Sequence, residues 1–481
     1  MLEILSQTSP RTIKTDVCIA GGGPAGISLA LDLAKQGVSS VLLEGGGLKP
    51  GGKNNRDLYK GESTGIPYPL SASRLRRFGG TSAVWGGWSK PLETAAFGSR
   101  KNAILPSWPI TPEDLAPYFN AALDWCEIES RDFDPANAVE DPARNLLFGP
   151  GMAFTQDLMR FSPPTRFGSR YLEDITNNTL VQCYCRANLV SLSHQADRIV
   201  SARAVNLNGD SMDIQAQHFI LAMGGIEIAR FLLHTRNDNG IPYGNASGLL
   251  GQCFMDQFGF SPGFIQAQAD LRLYRHGSDG VPVQPMVTAT ADFQKEHDLP
   301  SACLMATEYS ADVQLPANYF SNQGILSEGV TDSTRYRIQM MCEPGIHRES
   351  AITLSDKRDA LGMKRLKLNW TLSDEDYQGA ERFVELVGKE LGANGLGRLQ
   401  RTSYFVGERR RKLSVTWHHN GTTRMSDIPK YGVVDTDCRV WGTSNLHVAS
   451  SSVFPRSGYS NPTLTILALA GRLAEKLAKE A

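Results

Sequence analysis

The 481-residue chain has no surplus of either charge, with 49 Lys and Arg against 50 Asp and Glu. A nucleic-acid-binding surface needs a basic excess or stripe, so the balance argues against that class of partner. Residues 1–10 hold no basic stretch followed by an apolar one, and no export signal is expected. No apolar run approaches the roughly 20 residues that span a bilayer, so no membrane partner is expected. The eight cysteines are scattered and form no Cys-x-x-Cys pair. A reduced, cytoplasmic protein without a metal centre is the expectation. Cys183 and Cys185 fall two apart in a strand-like run and should share one face as a thiol pair. There is no internal repeat and no low-complexity tract. Apolar residues at 41% and charged residues at 21% are ordinary globular usage. The length allows two or three domains at about 150 residues each, or one large domain with insertions.

What the chain does have is 46 glycines, and they cluster. The first cluster follows the apolar run Asp16–Ala20 and precedes an apolar-faced helix that Gly37 should end. A second strand, Ser40–Glu44, completes a βαβ unit. Gly21-x-Gly23-x-x-Gly26 thus sits between strand and helix, the context a dinucleotide site requires. Gly21 permits the tight turn, Gly23 lets backbone approach a pyrophosphate, and Gly26 lets helix pack on strand. Pro24 and Ala25 open the helix, whose free N–H groups favour phosphate. Glu44, 18 residues after Gly26, is placed to accept a ribose 2′-hydroxyl and to repel a 2′-phosphate. The motif does not separate FAD from NAD.

Beyond it, residues 45–110 read as a functional loop region. A helix with Thr111 as cap runs to about Glu127. Leu180 to Leu192 and Arg198 to Val205 read as strands, as does Phe219–Ala222, with a helix after it to about His234. Tyr336–Met341 reads as a strand and Asp374 to about Leu391 as a long helix. The chain closes with the strand Leu446–Ala449, a polar loop and a helix from Thr463 to Lys479.

Six ordered segments resemble the glucose-methanol-choline (GMC) oxidoreductases, FAD-dependent enzymes that oxidise alcohols. Gly79–Gly87 resembles the family's second Gly-rich signature, implying flavin contacts from Gly79, Gly80, Thr81, Ser82, Trp85 and Gly86. Ala187–Val190 resembles the adenine segment, with Leu189 in contact. Leu221–Gly225 resembles the turn beside the cofactor, with Ala222 and Gly224. Gly251–Asp256 is similar to the "G-x-x-F-M-D" turn. His418–Met425 resembles the catalytic "H-x-x-G-T-x-R-M" stretch. Asn445–Thr463 is similar to the C-terminal flavin segment, with Ser450, Pro462 and Thr463. The details sit nearest the pyranose oxidases and bacterial sugar oxidoreductases. Two departures stand out. Val84 occupies the position of a flavin-linked His, which implies non-covalent FAD, and Ser450 stands where many members carry Asp.

The resemblance implies an α/β fold, with a Rossmann-like FAD-binding domain and a second, β-sheet-based substrate domain. Residues 1–264 would form the first part of the FAD domain, with a loop and helix insertion at about 45–165. Residues 265–410 would form the substrate domain, a sheet over the flavin, and 411–481 would return to the FAD domain. The implied reaction oxidises a primary or secondary alcohol of a sugar, glycoside or aminocyclitol-like substrate. His418 takes the hydroxyl proton, Asn461 holds the oxygen, and hydride passes to flavin N5; dioxygen or another redox partner then takes the electrons. A neutral imidazole suits proton abstraction near neutral pH. His419 is the confounder, since consecutive side chains of extended chain point to opposite sides. The alternatives are a lyase of the hydroxynitrile type, an oxidoreductase of a non-sugar alcohol, and a flavin-binding protein without turnover. Arg74, Arg76 and Arg77 either meet phosphate or form a solvated face. Glu227 reads as a first-turn acid, His218 and His447 as structural, and Trp85 with Trp88 as pocket wall or core. The loop Asn318–Gly324 reads as a lid.

Overall fold

In Thr12–Ala20 the last four residues are all buried, and in Ser40–Glu44 all five are. That is the pattern of parallel strands covered on both faces. Between them runs the helix Pro24–Lys35, with Pro in its first turn and Gly37 behind it at φ 83°. These elements come from a computed structural model that describes residues 2–101, 103–138, 148, 151–267, 277–308, 335–401 and 413–480.

The βαβ unit seeds an eight-stranded sheet. Its order is Leu2–Ile4, Val181–Cys185, Ser40–Glu44, Thr12–Ala20 and Ser211–Leu221, followed by Arg198–Val205 and Asn188–Gln195. The first five are parallel and the last two antiparallel, and Leu446–Val448 adds in parallel to the end of Ser211–Leu221. The single strand expected over Leu180–Leu192 is two. Arg186 adopts φ 58°, which ends one strand and sends the next to the opposite edge of the sheet. An arginine in left-handed conformation carries no local sequence marker, so the break was not legible. Cys183 and Cys185 are buried thiols that interact with each other, and none of the eight buried cysteines forms a disulfide.

The second large sheet is antiparallel. It runs Gly397–Arg401, Phe258–Ala267, Arg335–Cys342, Ala302–Glu308, Val283–Ala289, Phe154–Phe161 and Trp88–Ser89. It therefore draws strands from 88–89, 154–161 and 258–264 as well as from later residues. A small third sheet joins Ala351–Arg358 and Lys364–Trp370 to Glu62–Gly65, inside the Gly-rich region. The helix Asp374–Ala393 starts at a capping box made by Ser373 and Asp376 and buries Tyr377, Phe383 and Leu391 against this core. The C-terminal helix Thr463–Glu480 packs with Pro24–Lys35 and Pro112–Trp125 in a common core. Among the described residues no helix is long and apolar enough to cross a membrane. The loop Asn318–Gly324 lies outside the described residues.

Candidate active site

A cleft of about 520 Å³ opens where the C-terminal ends of Thr12–Ala20 and Ser211–Leu221 meet the loops of the second sheet. Its dinucleotide end is built by the first βαβ unit. Gly21 takes φ 116°, and a side chain there would lie 2.4 Å from the Ala222 carbonyl oxygen, so only glycine closes this turn. Gly26 lies behind the wall, and a Cβ on it would come within 1.9 Å of the Gly21 carbonyl oxygen. Gly23 is different, because a Cβ on it would meet nothing within 4 Å. The helix begins at Gly23 with no side-chain cap and no first-turn acid, which leaves the N–H groups of its first turn open. Glu44 is buried and accepts the Gly22 N–H at 3.0 Å and the Gly46 N–H as well. A carboxylate has about four acceptor sites, so a ribose hydroxyl can still be received. Pro24, Ala25, Leu189, Ala222 and Gly224 line the same end.

The second Gly-rich segment forms the next stretch of wall. Gly80, Thr81, Ser82, Trp85 and Gly86 line it, while Gly79 packs behind against Gly168. Val84 is 59% exposed toward the opening and carries no nucleophilic atom. Trp85 and Trp88 both line the cleft, and Trp85 also donates to the Thr165 carbonyl at 2.9 Å.

At the far end the chain brings together two side chains 43 residues apart: Asn461 Nδ2 donates to His418 Nε2 at 3.3 Å. Asn461 Oδ1 is buried and has no partner. On the other side of the ring, His418 Nδ1 lies 2.8 Å from Gln257 Oε1. Burial lowers the His418 pKa to about 4, which keeps the imidazole neutral at neutral pH. His419 also lines the cleft, but its ring packs between Tyr68 and Phe254, and burial with nearby Arg74 holds it well below the usual histidine range. Ser450 lines the cleft and caps the following turn by accepting the Ser452 N–H, and Pro462 and Thr463 close the wall.

Two further groups hold this end, and only the first carried a sequence signal. Asp256, last residue of the "G-x-x-F-M-D" match, is fully buried. It accepts Tyr68 Oη at 2.7 Å, the N–H groups of Trp417 and His418 at 3.0 Å each, and the Thr416 hydroxyl. Burial raises its pKa to about 6 against the pull of those donors. Trp417 between them is held at φ 63°. Gln257, next in sequence, had no signal at all.

Of the arginines before Gly79, Arg74 and Arg76 line the cleft. Arg74 is buried, not solvated: it pairs with Glu227 at 2.6 Å, and Glu227 reaches Arg230 at 3.2 Å, which pairs with Asp359 at 2.6 Å. Burial pushes the Glu227 carboxyl up, but Arg230 and Arg74 outweigh it and hold it below the usual range. Arg76 bonds Asn188, and Arg77 donates to the Leu48 carbonyl. The His218 and His447 rings lie 5.8 Å apart, tilted by 50°, on neighbouring strands away from the cleft lining.

The uncapped helix start, the open space at Gly23, the buried Glu44 and the unpartnered Asn461 oxygen together fit a flavin adenine dinucleotide. Comparison with known proteins agrees. Residues 347–470 match the family described as GMC oxidoreductase, and residues 14–46 match the FAD binding domain family. Paromamine 6'-oxidase of Streptomyces fradiae is 23% identical over 526 aligned positions, spanning 96% of this chain and 91% of that protein. C-glycoside 3-oxidase of Arthrobacter globiformis is 31% identical over 146 positions, covering 29% of this chain and 26% of its own. The crystal structure of pyridoxine 4-oxidase from Mesorbium loti superposes with a TM-score of 0.58 at 17% identity, over 96% of this chain and 99% of that one, a likeness of fold.

Proposed function

The chain belongs to the GMC oxidoreductase family and is an FAD-dependent alcohol oxidoreductase, and from that premise we propose that it oxidises a hydroxyl of a sugar, glycoside or aminocyclitol to the carbonyl, with His418 as base and Asn461 as its partner. The observation that carries this is the pairing of His418 Nε2 with Asn461 at the cleft wall, beside an Asn461 oxygen that has no partner. The full-length relative named for paromamine and the shorter match named for C-glycosides support the substrate class.

Bound FAD supplies the two-electron acceptor. Gly23, Ala25 and the open helix start would hold its pyrophosphate, and Glu44 a ribose hydroxyl. The segment Gly80–Gly86 and the residues Ser450, Pro462 and Thr463 would flank the rest. Val84 supports non-covalent attachment. An entering alcohol donates its O–H to His418 Nε2 and accepts from Asn461 Nδ2, replacing the 3.3 Å bond between them. His418 takes the proton while Asn461 fixes the oxygen, which fixes where the carbinol C–H points. Trp85 and Trp88 exclude water from the wall. Dioxygen or another redox partner would be the final electron acceptor.

Residues 1–264 and 411–481 would make up the FAD-binding part and 265–410 most of the substrate part, completed by Trp88–Ser89 and Phe154–Phe161. Eight buried cysteines, none in a disulfide, support a reducing compartment, the cytoplasm.

The test is anaerobic mixing of the FAD-loaded protein with sugars, glycosides and aminocyclitols while flavin absorbance is followed. Bleaching by one of these is expected. His418→Ala should retain FAD and slow that bleaching by about 10²–10⁴-fold. A near wild-type rate in the variant, or substrate consumed while the flavin stays oxidised as a lyase would leave it, overturns the assignment.

A further inference from the structure

We infer that Gln257 is a positioning residue that fixes which nitrogen of His418 carries the proton, and thereby the sense of the hydrogen-bond chain that ends at Asn461. The inference rests on His418 acting as the base.

Gln257 is fully buried and is not part of the cleft wall. Its Nε2 lies 3.1 Å from the Gly458 carbonyl oxygen, 3.2 Å from that of Ser460 and 3.4 Å from that of Ser457. Carbonyl oxygens only accept, so the amide end among them is the NH2. The reversed amide would set an oxygen against three oxygens. Oε1 is therefore the end at 2.8 Å from His418 Nδ1. That oxygen also only accepts, so Nδ1 carries the hydrogen. A neutral imidazole has one N–H, which leaves a lone pair on Nε2. Asn461 answers with its NH2 at 3.3 Å, and its own oxygen is left open. Each step follows from the one before, and the chain starts at three backbone carbonyls that cannot change sign.

The result at the cleft is a lone pair on Nε2 and an unpartnered oxygen on Asn461. A hydroxyl group can donate to this arrangement, and a carboxylate cannot. Gln257 also touches Ser457, Gly458 and Ser460, the residues that lead into Asn461. One amide thus sets the tautomer of the first side chain and the position of the second.

The experiment uses FAD-loaded protein labelled with ¹⁵N at histidine. Long-range proton–nitrogen spectra distinguish protonated from unprotonated ring nitrogens, and His418→Ala identifies the His418 signals. The wild type should show Nδ1 protonated and Nε2 bare at neutral pH. Gln257→Met, similar in length but without donor or acceptor, should lose that single pattern. It should also slow flavin reduction by about 10²-fold, the low end of losing a general base, with FAD content unchanged. Gln257→Glu keeps an acceptor on Nδ1. Its outer oxygen must carry a proton to face the three carbonyls, so it should keep the Nδ1-protonated tautomer, seen by NMR, and reduce the flavin faster than Gln257→Met. A wild-type spectrum with Nε2 protonated overturns the inference. So does a Gln257→Met variant that is inactive with the tautomer intact, because Gln257 would then only hold the loop. If Gln257→Met does not fold, the wild-type and Gln257→Glu spectra still decide. Failure of His418 as base is read separately, as unimpaired reduction in His418→Ala.

Discussion

Replacing Asp256 by Asn should damage turnover far more than stability. The carboxylate receives two donors on each oxygen: Thr416 Oγ1 and the His418 N–H on one, Tyr68 Oη and the Trp417 N–H on the other. An amide turns one of those oxygens into a donor. The hydroxyl on that side can rotate and accept instead, but the backbone N–H cannot. One buried N–H is then left unpaired, at a cost of about 1–3 kcal/mol. The left-handed backbone at Trp417 also loses its restraint, and such strain is worth about 1–3 kcal/mol. Against this, burial has lifted the carboxyl from 3.8 to about 6, so ionising it in the fold at neutral pH carries a penalty. At 1.36 kcal/mol per unit, removing the charge returns about 3 kcal/mol. Gains and losses nearly cancel, and unfolding at pH 7 should shift little. Position does not cancel. Relaxation of residues 416–418 moves His418 relative to Asn461, and a displacement of about 1 Å can cost 10²-fold in rate. Scanning calorimetry and anaerobic stopped-flow reduction of the flavin measure the two effects on one preparation. Reduction within about threefold of wild type, a small fraction of that 10²-fold effect, would refute the clamp. Collapse of the fold at pH 7 would refute the cancellation.

Gly23→Val should leave the apoprotein as stable as wild type, because its side chain enters open space. It should weaken FAD binding at least tenfold by titration, since that space is where the backbone must approach a pyrophosphate. Acid or heat should release the FAD of the holoprotein into the supernatant, given Val84; yellow colour retained in the washed precipitate would contradict non-covalent attachment. Stability should fall as pH drops from about 6.5 toward 4. His418 and His447 are held by burial at about 4 and about 3, and His218, His234 and His419 are also lowered. A lowered histidine contributes stability above its unfolded pKa of about 6.5 and loses it as pH falls. Asp256 and Glu93, raised by burial, act in the opposite sense over the lower part of the window but are outnumbered. Unfolding midpoints across this range, with His447→Gln flattening the slope by about one proton, check it.

The dinucleotide half of the site was legible because its signals are local. A tight turn, a helix start and a strand end fall within one βαβ unit, and each residue's place is set by its neighbours in sequence. The helix caps at Thr111 and Ser373 are local in the same way. The pairing at the other end was legible only by resemblance, since nothing at His418 or Asn461 points to the other across 43 residues. Asp256 and Gln257 were not legible as functional. Their role is to receive or give hydrogen bonds to backbone more than 150 residues away, and no spacing rule encodes that. The burial of Arg74, against the solvated-face reading, was not legible for the same reason, because its partner Glu227 lies 153 residues on.

The loop that carries Asn461 is tied down by groups from the second sheet and the segments flanking it, not by the FAD-binding sheet. Glu343 pairs with Arg456 and accepts the Gly458 N–H at 3.0 Å. Glu93 accepts the Tyr459 N–H at 2.7 Å and the Ser460 hydroxyl at 2.7 Å, and Asp157 accepts the Tyr459 hydroxyl. Gln257 supplies the remaining donors. His418 is likewise held through Asp256, at the entry to a strand of that second sheet. The first sheet therefore builds the dinucleotide end of the cleft, and the second positions both proposed catalytic side chains. Buried charges at this density are costly unless every one is partnered, which ties the placement of His418 and Asn461 to the integrity of the second sheet. A substitution that reshapes that sheet to admit a different alcohol will move the catalytic pair with it. Changes of specificity in this scaffold should accordingly appear in the rate of flavin reduction as well as in substrate affinity.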